Sequence, residues 1–176
     1  MSEPLAAGGA DAAWRFCPRC AAALAPAVHG DRMRLACSRC DWVHWDNPTP
    51  VVAAVIELDG QLLMARNRAW PEKMFALVTG FLERDEHPAA AVLREVKEET
   101  DLDADAATLI GACDFRRVNQ LILGYHVAAR GTVRLGEELA DYRLIAPERV
   151  RCWRAGTGVL LAQWLESRGL PVHFLD

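Results

Sequence analysis

No stretch of this chain approaches the roughly 18 consecutive apolar residues that a membrane-crossing helix requires, so no membrane partner is expected. Strong charge of one sign is missing too. The formal net charge is -4 over 176 residues, which argues against broad nucleic-acid binding by charge alone. It still permits a polyanionic substrate, because metal ions can supply positive charge. The segment from Met1 to Ala13 has neither a basic start nor a solid apolar core, so it is not a signal peptide. It is rich in Ala and Gly, reads as a disordered leader, and leaves a cytoplasmic location as the default. There is no internal repeat. Cysteine is sparse, at six residues, but patterned.

Hydrophobic residues make up 52% of the chain, ample for one core. They are unevenly placed. Residues 14–45 are dense in Cys, Arg, Trp and His and cannot build a core of their own. Asp46–Pro50 reads as a turn-rich linker, and 46–176 as the main domain. Val51–Leu58 reads as a buried strand, Asp59-Gly60 as a hairpin turn, and Gln61–Arg66 as the returning strand. Phe75–Phe81 is a third strand candidate. A helix capped by Asp85 or Glu86, with Pro88 in its first turn, runs to about Thr100. Leu109–Phe115 and Leu121–Arg130 read as strands, and Thr157–Ser167 as a closing helix stopped by Gly169 and Pro171. Strands interleaved with two helices indicate an α/β sandwich.

Cys17-Pro18-Arg19-Cys20 and Cys37-Ser38-Arg39-Cys40 are two Cys-x-x-Cys knuckles with 16 residues between them. That spacing suits a four-cysteine zinc ribbon. Four thiolates fill a tetrahedron and leave no open position, so the zinc would be structural. Redox pairs are the competing reading, but such motifs open a helix on a βαβ scaffold, and none is suggested. His29 and His44 are spare candidate ligands. Cys113 and Cys152 read as small buried hydrophobes.

The stretch from Gly80 to Leu102 carries the chemistry. On a helix, Glu95, Glu98 and Glu99 fall on one narrow face. Ala89, Val92, Leu93, Val96 and Thr100 form the adjoining face that packs on a sheet. Three carboxylates that close repel one another, and stability alone does not favour them. A hard divalent cation, magnesium or manganese, removes the conflict.

With Gly80, Glu86, Arg94, Glu95, Val96, Glu98, Glu99 and Leu102 in place, this stretch resembles the Nudix box. Asp101 stands where that family usually has glycine at the left-handed helix end, a conformation that aspartate tolerates better than most. The resemblance implies a Nudix-type α/β/α sandwich with a mixed sheet. It implies that Glu95, Glu98 and Glu99 bind magnesium, one of them helping to activate water. It also implies that the Gly80 carbonyl adds a ligand, that Glu86 supports from behind, and that Arg94 orients a glutamate. The reaction would be hydrolysis of a pyrophosphate bond.

The order of ribbon, Pro-rich joint, strand and box is similar to the zinc-ribbon branch that contains the NADH pyrophosphatases. In that branch a later glutamate lies near the metals, and Glu138 in Glu137–Arg143 is the match; an exposed acidic loop is the alternative. The branch's Ser-Gln-Pro-Trp-Pro-Phe-Pro array is replaced here by Phe115–Leu121. The larger N-terminal domain of the long members is also not in the sequence. The expected substrate is therefore a nucleoside diphosphate linked to another group, of the ADP-ribose, FAD or NADH type. Nucleoside triphosphates, capped RNA and a non-catalytic nucleotide regulator are the alternatives. Arg116 and Arg117 are candidate phosphate or base contacts, and Trp70 and Phe75 candidate base-pocket rings. The resemblance also implies a homodimer.

Overall fold

The computed structural model describes residues 14–175. The leader assigned to residues 1–13 lies outside them. The chain divides into two compact units, one ending at Asn47 and the other starting at Pro48. Among the described residues, no helix is long and apolar enough to cross a membrane.

The first unit is built on one hairpin. Strands β1 (Leu24–His29) and β2 (Arg32–Cys37) pair antiparallel. The two knuckles sit at the open end of this hairpin, and all four cysteine sulfurs lie within 4.8 Å of one another. Cys17 and Cys37 are buried, which little else in so small a unit achieves. Trp14, Trp42 and His44 pack as a ring cluster, with Trp42 and His44 stacked at 6.0 Å.

The second unit is a sandwich around a six-stranded mixed sheet. Its strands are β3 (Thr49–Leu58), β4 (Gln61–Asn67), β5 (Val78–Phe81), β6 (Thr108–Phe115), β7 (Gln120–Ala129) and β8 (Leu139–Ile145). They run in the order β6-β7-β3-β4-β8, with β5 also paired to β3. The β3–β7 pair is parallel and the other pairs are antiparallel. A short parallel pair, β9 (Arg151–Cys152) and β10 (His173–Phe174), lies outside this sheet. Thr49 and Pro50 already pair with β7, so the strand starts two residues inside the expected linker. Proline fits there because it stands at the start of the strand.

The β3–β4 hairpin turns at Asp59 and Gly60, both at positive φ, as an Asp-Gly turn requires. Alternate residues of β3 then face opposite ways. Val52, Ala54 and Ile56 pack with Val92 and Val96 of helix α1 (Pro88–Thr100). Val51, Ala53 and Val55 pack with Leu160, Leu161 and Trp164 of helix α2 (Thr157–Ser167). One helix covers each face of the sheet.

One expectation needs correction, and one element is new. The cap of α1 is His87, whose Nδ1 accepts from the Ala89 N–H at 3.2 Å. Asp85 has φ 62 and cannot enter the helix, while Glu86 is engaged elsewhere. Leu139–Ile145, for which the sequence reading offered no element, is the edge strand β8, and Glu138 lies in the exposed turn just before it.

Candidate active site

Helix α1 presents its carboxylates beside β5. Glu95 is held against the strand, and Gly80 is what makes room for it. A Cβ at Gly80 would fall 1.8 Å from Glu95 Cδ, so any larger residue there displaces the carboxylate. Arg94 then gathers the acids. Its Nε donates to Glu86 Oε1 at 2.8 Å and Nη2 to Glu86 Oε2 at 3.0 Å. Nη1 donates to Glu95 Oε1 at 2.7 Å and to Glu98 Oε2 at 3.0 Å. Nη2 also reaches the Phe81 carbonyl at 3.2 Å, fastening helix to strand. Glu86 is fixed further by the Glu83 N–H, and its pKa is lowered, chiefly by Arg94.

The C-terminal end of α1 is closed by features that spacing alone does not reveal. Asp101 takes the left-handed conformation, φ 58, and donates its N–H to the Lys97 carbonyl. Lys97 Nζ bonds the Asp101 carboxylate at 2.7 Å in return. The loop before β8 supplies two more donors: Arg134 N–H to the Thr100 carbonyl and Gly136 N–H to the Glu99 carbonyl, each at 2.9 Å. These bonds satisfy carbonyls that a helix end leaves open. Gly136 approaches so closely that a Cβ there would meet the Glu98 carbonyl at 2.7 Å. The loop thereby brings Glu138 within electrostatic range of Glu95 and Glu99.

The result is a crowded anionic site. Burial, followed by the charges of Glu95, Glu138 and Glu98, pushes the Glu99 carboxyl up to about 7. Glu95 is also raised, burial again leading, although Arg94 pulls the other way. Glu98 is exposed. The carboxylate oxygens are hard donors of the kind magnesium or manganese takes. They are not drawn together as the ribbon sulfurs are, since the cysteines are the only close-set group of metal-type donors among the described residues.

In the ribbon the sulfurs of Cys17 and Cys40, and of Cys20 and Cys37, lie 3.5 Å apart. The edge of a zinc–thiolate tetrahedron is about 3.8 Å for a metal–sulfur bond of about 2.3 Å, so the set fits zinc. The Arg19 and Arg39 N–H groups point at Cys17 and Cys37 Sγ, each at 3.4 Å. The Arg39 N–H helps hold the Cys37 thiol down, to about 7. His29 and His44 are not in the sulfur cluster. His44 pairs with Asp46 at 3.8 Å instead.

The substrate candidates are scattered. Arg116 and Arg117 lie on an exposed turn between β6 and β7, with Arg116 paired to Asp114. That turn is at the same end of the sheet as Gly80, since Gln120 pairs with Thr49 and Gly80 with Val52. Phe75 is 8% exposed and belongs to the core under α2. A ring so enclosed offers a base almost no surface, so the sequence reading of it as a pocket wall is corrected to core. Trp70 is half-buried in the turn after β4.

Two family models match this chain. The NUDIX domain model matches residues 47–164, and the Nudix N-terminal model, a zinc ribbon, matches residues 15–46. The chain belongs to the Nudix family. Among curated Nudix relatives, the NAD-capped RNA hydrolase NudC of Vibrio atlanticus is 27% identical over 157 residues, 89% of this chain and 51% of that protein. Its namesake in Vibrio vulnificus is 22% identical over 171 residues, 97% of this chain and 58% of that protein. The chain thus spans about half the length of the curated relatives it matches. A NUDIX hydrolase from Nitrosomonas europaea superposes with a TM-score of 0.74 at 19% identity, covering 92% of this chain and 99% of that one. An ADP-ribose pyrophosphatase from Streptococcus suis gives 0.58 at 18% identity, covering 73% and 100%. At such identities the structures establish the shared Nudix fold.

Proposed function

We propose that this chain hydrolyses the pyrophosphate bond of a nucleoside diphosphate joined to a second group, releasing two phosphomonoesters. One observation carries the reading: Glu95 and Glu99 are held where burial and the charges of Glu98 and Glu138 oppose their ionisation. A surface that served stability alone would disperse them. Glu95, Glu98 and Glu99, with the Gly80 carbonyl, would hold magnesium or manganese. A divalent cation there polarises phosphoryl oxygens and lowers the pKa of bound water. Arg94 holds Glu95 and Glu98 at fixed positions, and Glu86 holds Arg94, so the ligands are oriented before substrate arrives. Glu99 is raised to about 7 only while no cation offsets its neighbours; with the cation bound, one of the three helix glutamates would help activate the attacking water. Cys17, Cys20, Cys37 and Cys40 would hold one structural zinc. The ribbon would comprise residues 14–45 and the catalytic domain 46–176, and the homodimer implied by the resemblance belongs to the same proposal.

The substrate follows from Phe115–Leu121, which does not carry the array tied to NADH preference. ADP-ribose or FAD should be cleaved at least as efficiently as NADH. Capped RNA is a second reading, favoured by the names of the Vibrio relatives. The net charge bears only on broad backbone binding. A magnesium-dependent screen with NADH, FAD, ADP-ribose, nucleoside triphosphates and an NAD-capped oligonucleotide tests these readings. A kcat/KM for NADH more than about 100-fold above both ADP-ribose and FAD, roughly 2.7 kcal/mol of discrimination, would contradict the assignment. No turnover of any compound would sink the hydrolase reading.

A further inference from the structure

Among the described residues, two side chains carry a buried polar atom with no hydrogen-bond partner, and in both it is an arginine Nε. Arg34, in the ribbon, still bonds the Trp45 carbonyl through Nη1. Arg66, on β4, makes no side-chain hydrogen bond and no ion pair with any described residue. Asp141 lies opposite it in register, yet Asp141 Oδ1 accepts from the Tyr142 N–H and makes no ion pair with Arg66. A second arginine lies on the same face. Arg143 pairs in register with Met64, two residues before Arg66, and its guanidinium sits 4.0 Å over the Phe75 ring. It too has no carboxylate partner. Four other arginines of this domain pair with acids, Arg94, Arg116, Arg130 and Arg134; what sets Arg66 apart is that its Nε is buried without a partner.

The face is defined by the core. Leu62, Met64 and Phe75 all pack under α2, so Arg66, in step with Leu62 and Met64, points to that side, away from α1. Its neighbour Ala65 bridges to Ala76. Four residues of extended chain, about 13 Å, then lead to Gly80 beside the catalytic carboxylates. An uncompensated guanidinium with a buried donor is destabilising unless an acceptor comes from outside. Paired arginines match the oxygens of a phosphate.

We propose that Arg66 and Arg143 form a binding site for a phosphate that the nucleotide substrate carries apart from its scissile diphosphate, on a ribose hydroxyl of one nucleoside. The proposal rests on the pyrophosphatase reading but is tested without turnover. Full-length protein is titrated calorimetrically with AMP, adenosine 2′,5′-bisphosphate and adenosine 3′,5′-bisphosphate, none of which contains a pyrophosphate bond. At least one bisphosphate should bind at least about 10-fold tighter than AMP, the size expected for a charge-assisted contact. Preference for the 2′ isomer marks a 2′-phosphorylated nucleotide, and for the 3′ isomer a 3′-phosphorylated one. Arg66→Met should erase the advantage and leave AMP affinity within about threefold, without lowering Tm, because the orphaned donor is removed. Arg143→Met, at an exposed position, should reduce the same advantage even if the Arg66 variant folds poorly. Equal affinity for AMP and both bisphosphates in the wild type, or equal weakening of all three by either variant, overturns the site. If the bisphosphate preference stands while the pyrophosphatase screen is blank, the reaction is wrong and the phosphate site is right. An active screen with no such preference rejects only the arginine site.

Discussion

The four cysteines of the ribbon and the glutamates of α1 are both sets of metal-type donors, yet the chain assembles them differently. The sulfurs are already within 4.8 Å of one another and steered by backbone N–H groups of the knuckles. The carboxylates are spread along a helix and tied by one arginine, with Glu98 left exposed. A closed tetrahedron has no coordination site for a substrate, whereas an open carboxylate row does. The first arrangement suits a metal that holds a fold, and the second suits one that meets a ligand.

The sharpest way to break this contrast is to remove the metals. Protein purified without chelator should contain one zinc per chain by elemental analysis, with sulfur ligands at about 2.3 Å in X-ray absorption. Stripping zinc, or Cys37→Ser, should unfold residues 14–47 while the catalytic domain keeps its cooperative transition, because that small unit has little other burial. Limited proteolysis would map the loss. Stripping magnesium should instead leave both units folded. A zinc-free protein with an intact ribbon would erase the distinction.

A smaller effect tests the fit between β5 and α1. Gly80→Ala places a methyl where the Glu95 carboxylate stands. The acid must move, so kcat should fall about 100-fold, with a loss of about 1–3 kcal/mol in stability from overpacking. Unchanged kinetics would mean that Glu95 need not occupy that position.

The smallest effect concerns pH. The ordinary value for Glu99 is 4.5, and in the folded apo protein it is about 7. Between those values the native state binds more protons than the unfolded chain, so apo stability falls as pH rises through the window. The stabilisation is complete below about 4.5 and lost above about 7. Solvent screening reduces its size to about 1 kcal/mol. Denaturant melts at pH 5 and pH 8, with and without Glu99→Gln, should show the variant less pH-dependent than the parent. An equal slope in both would mean Glu99 titrates normally.

What was legible in the sequence was local. The two knuckles and the Gly80–Leu102 stretch place their residues by spacing within one turn or one helix, and Thr157–Ser167 was bounded by its own stop signals. The elements missed or misread depend on distant contacts. Leu139–Ile145 is an edge strand with three successive exposed residues, so it shows no clean alternation of apolar and polar positions. Asp85 is a good capping residue by type, but a left-handed backbone moves the helix start two residues on. The approach of Glu138 to Glu95 and Glu99 depends on Gly136 docking against the end of α1, a contact across nearly forty residues of chain that no local pattern announces. Arg66 and Arg143 share one face of the sheet only through the β4–β8 register.

The central claim is that the α1 carboxylates serve turnover and not folding. Glu98→Gln and Glu99→Gln, made separately, test it most directly when kcat and apo Tm are measured on the same samples. Removing one charge from a repelling set should leave apo Tm unchanged or raised. Removing a ligand from the site that stabilises the transition state should lower kcat by at least about 100-fold at ordinary magnesium. Near-normal kcat in both variants, or an apo protein that no longer folds, would contradict the account and make α1 a structural helix.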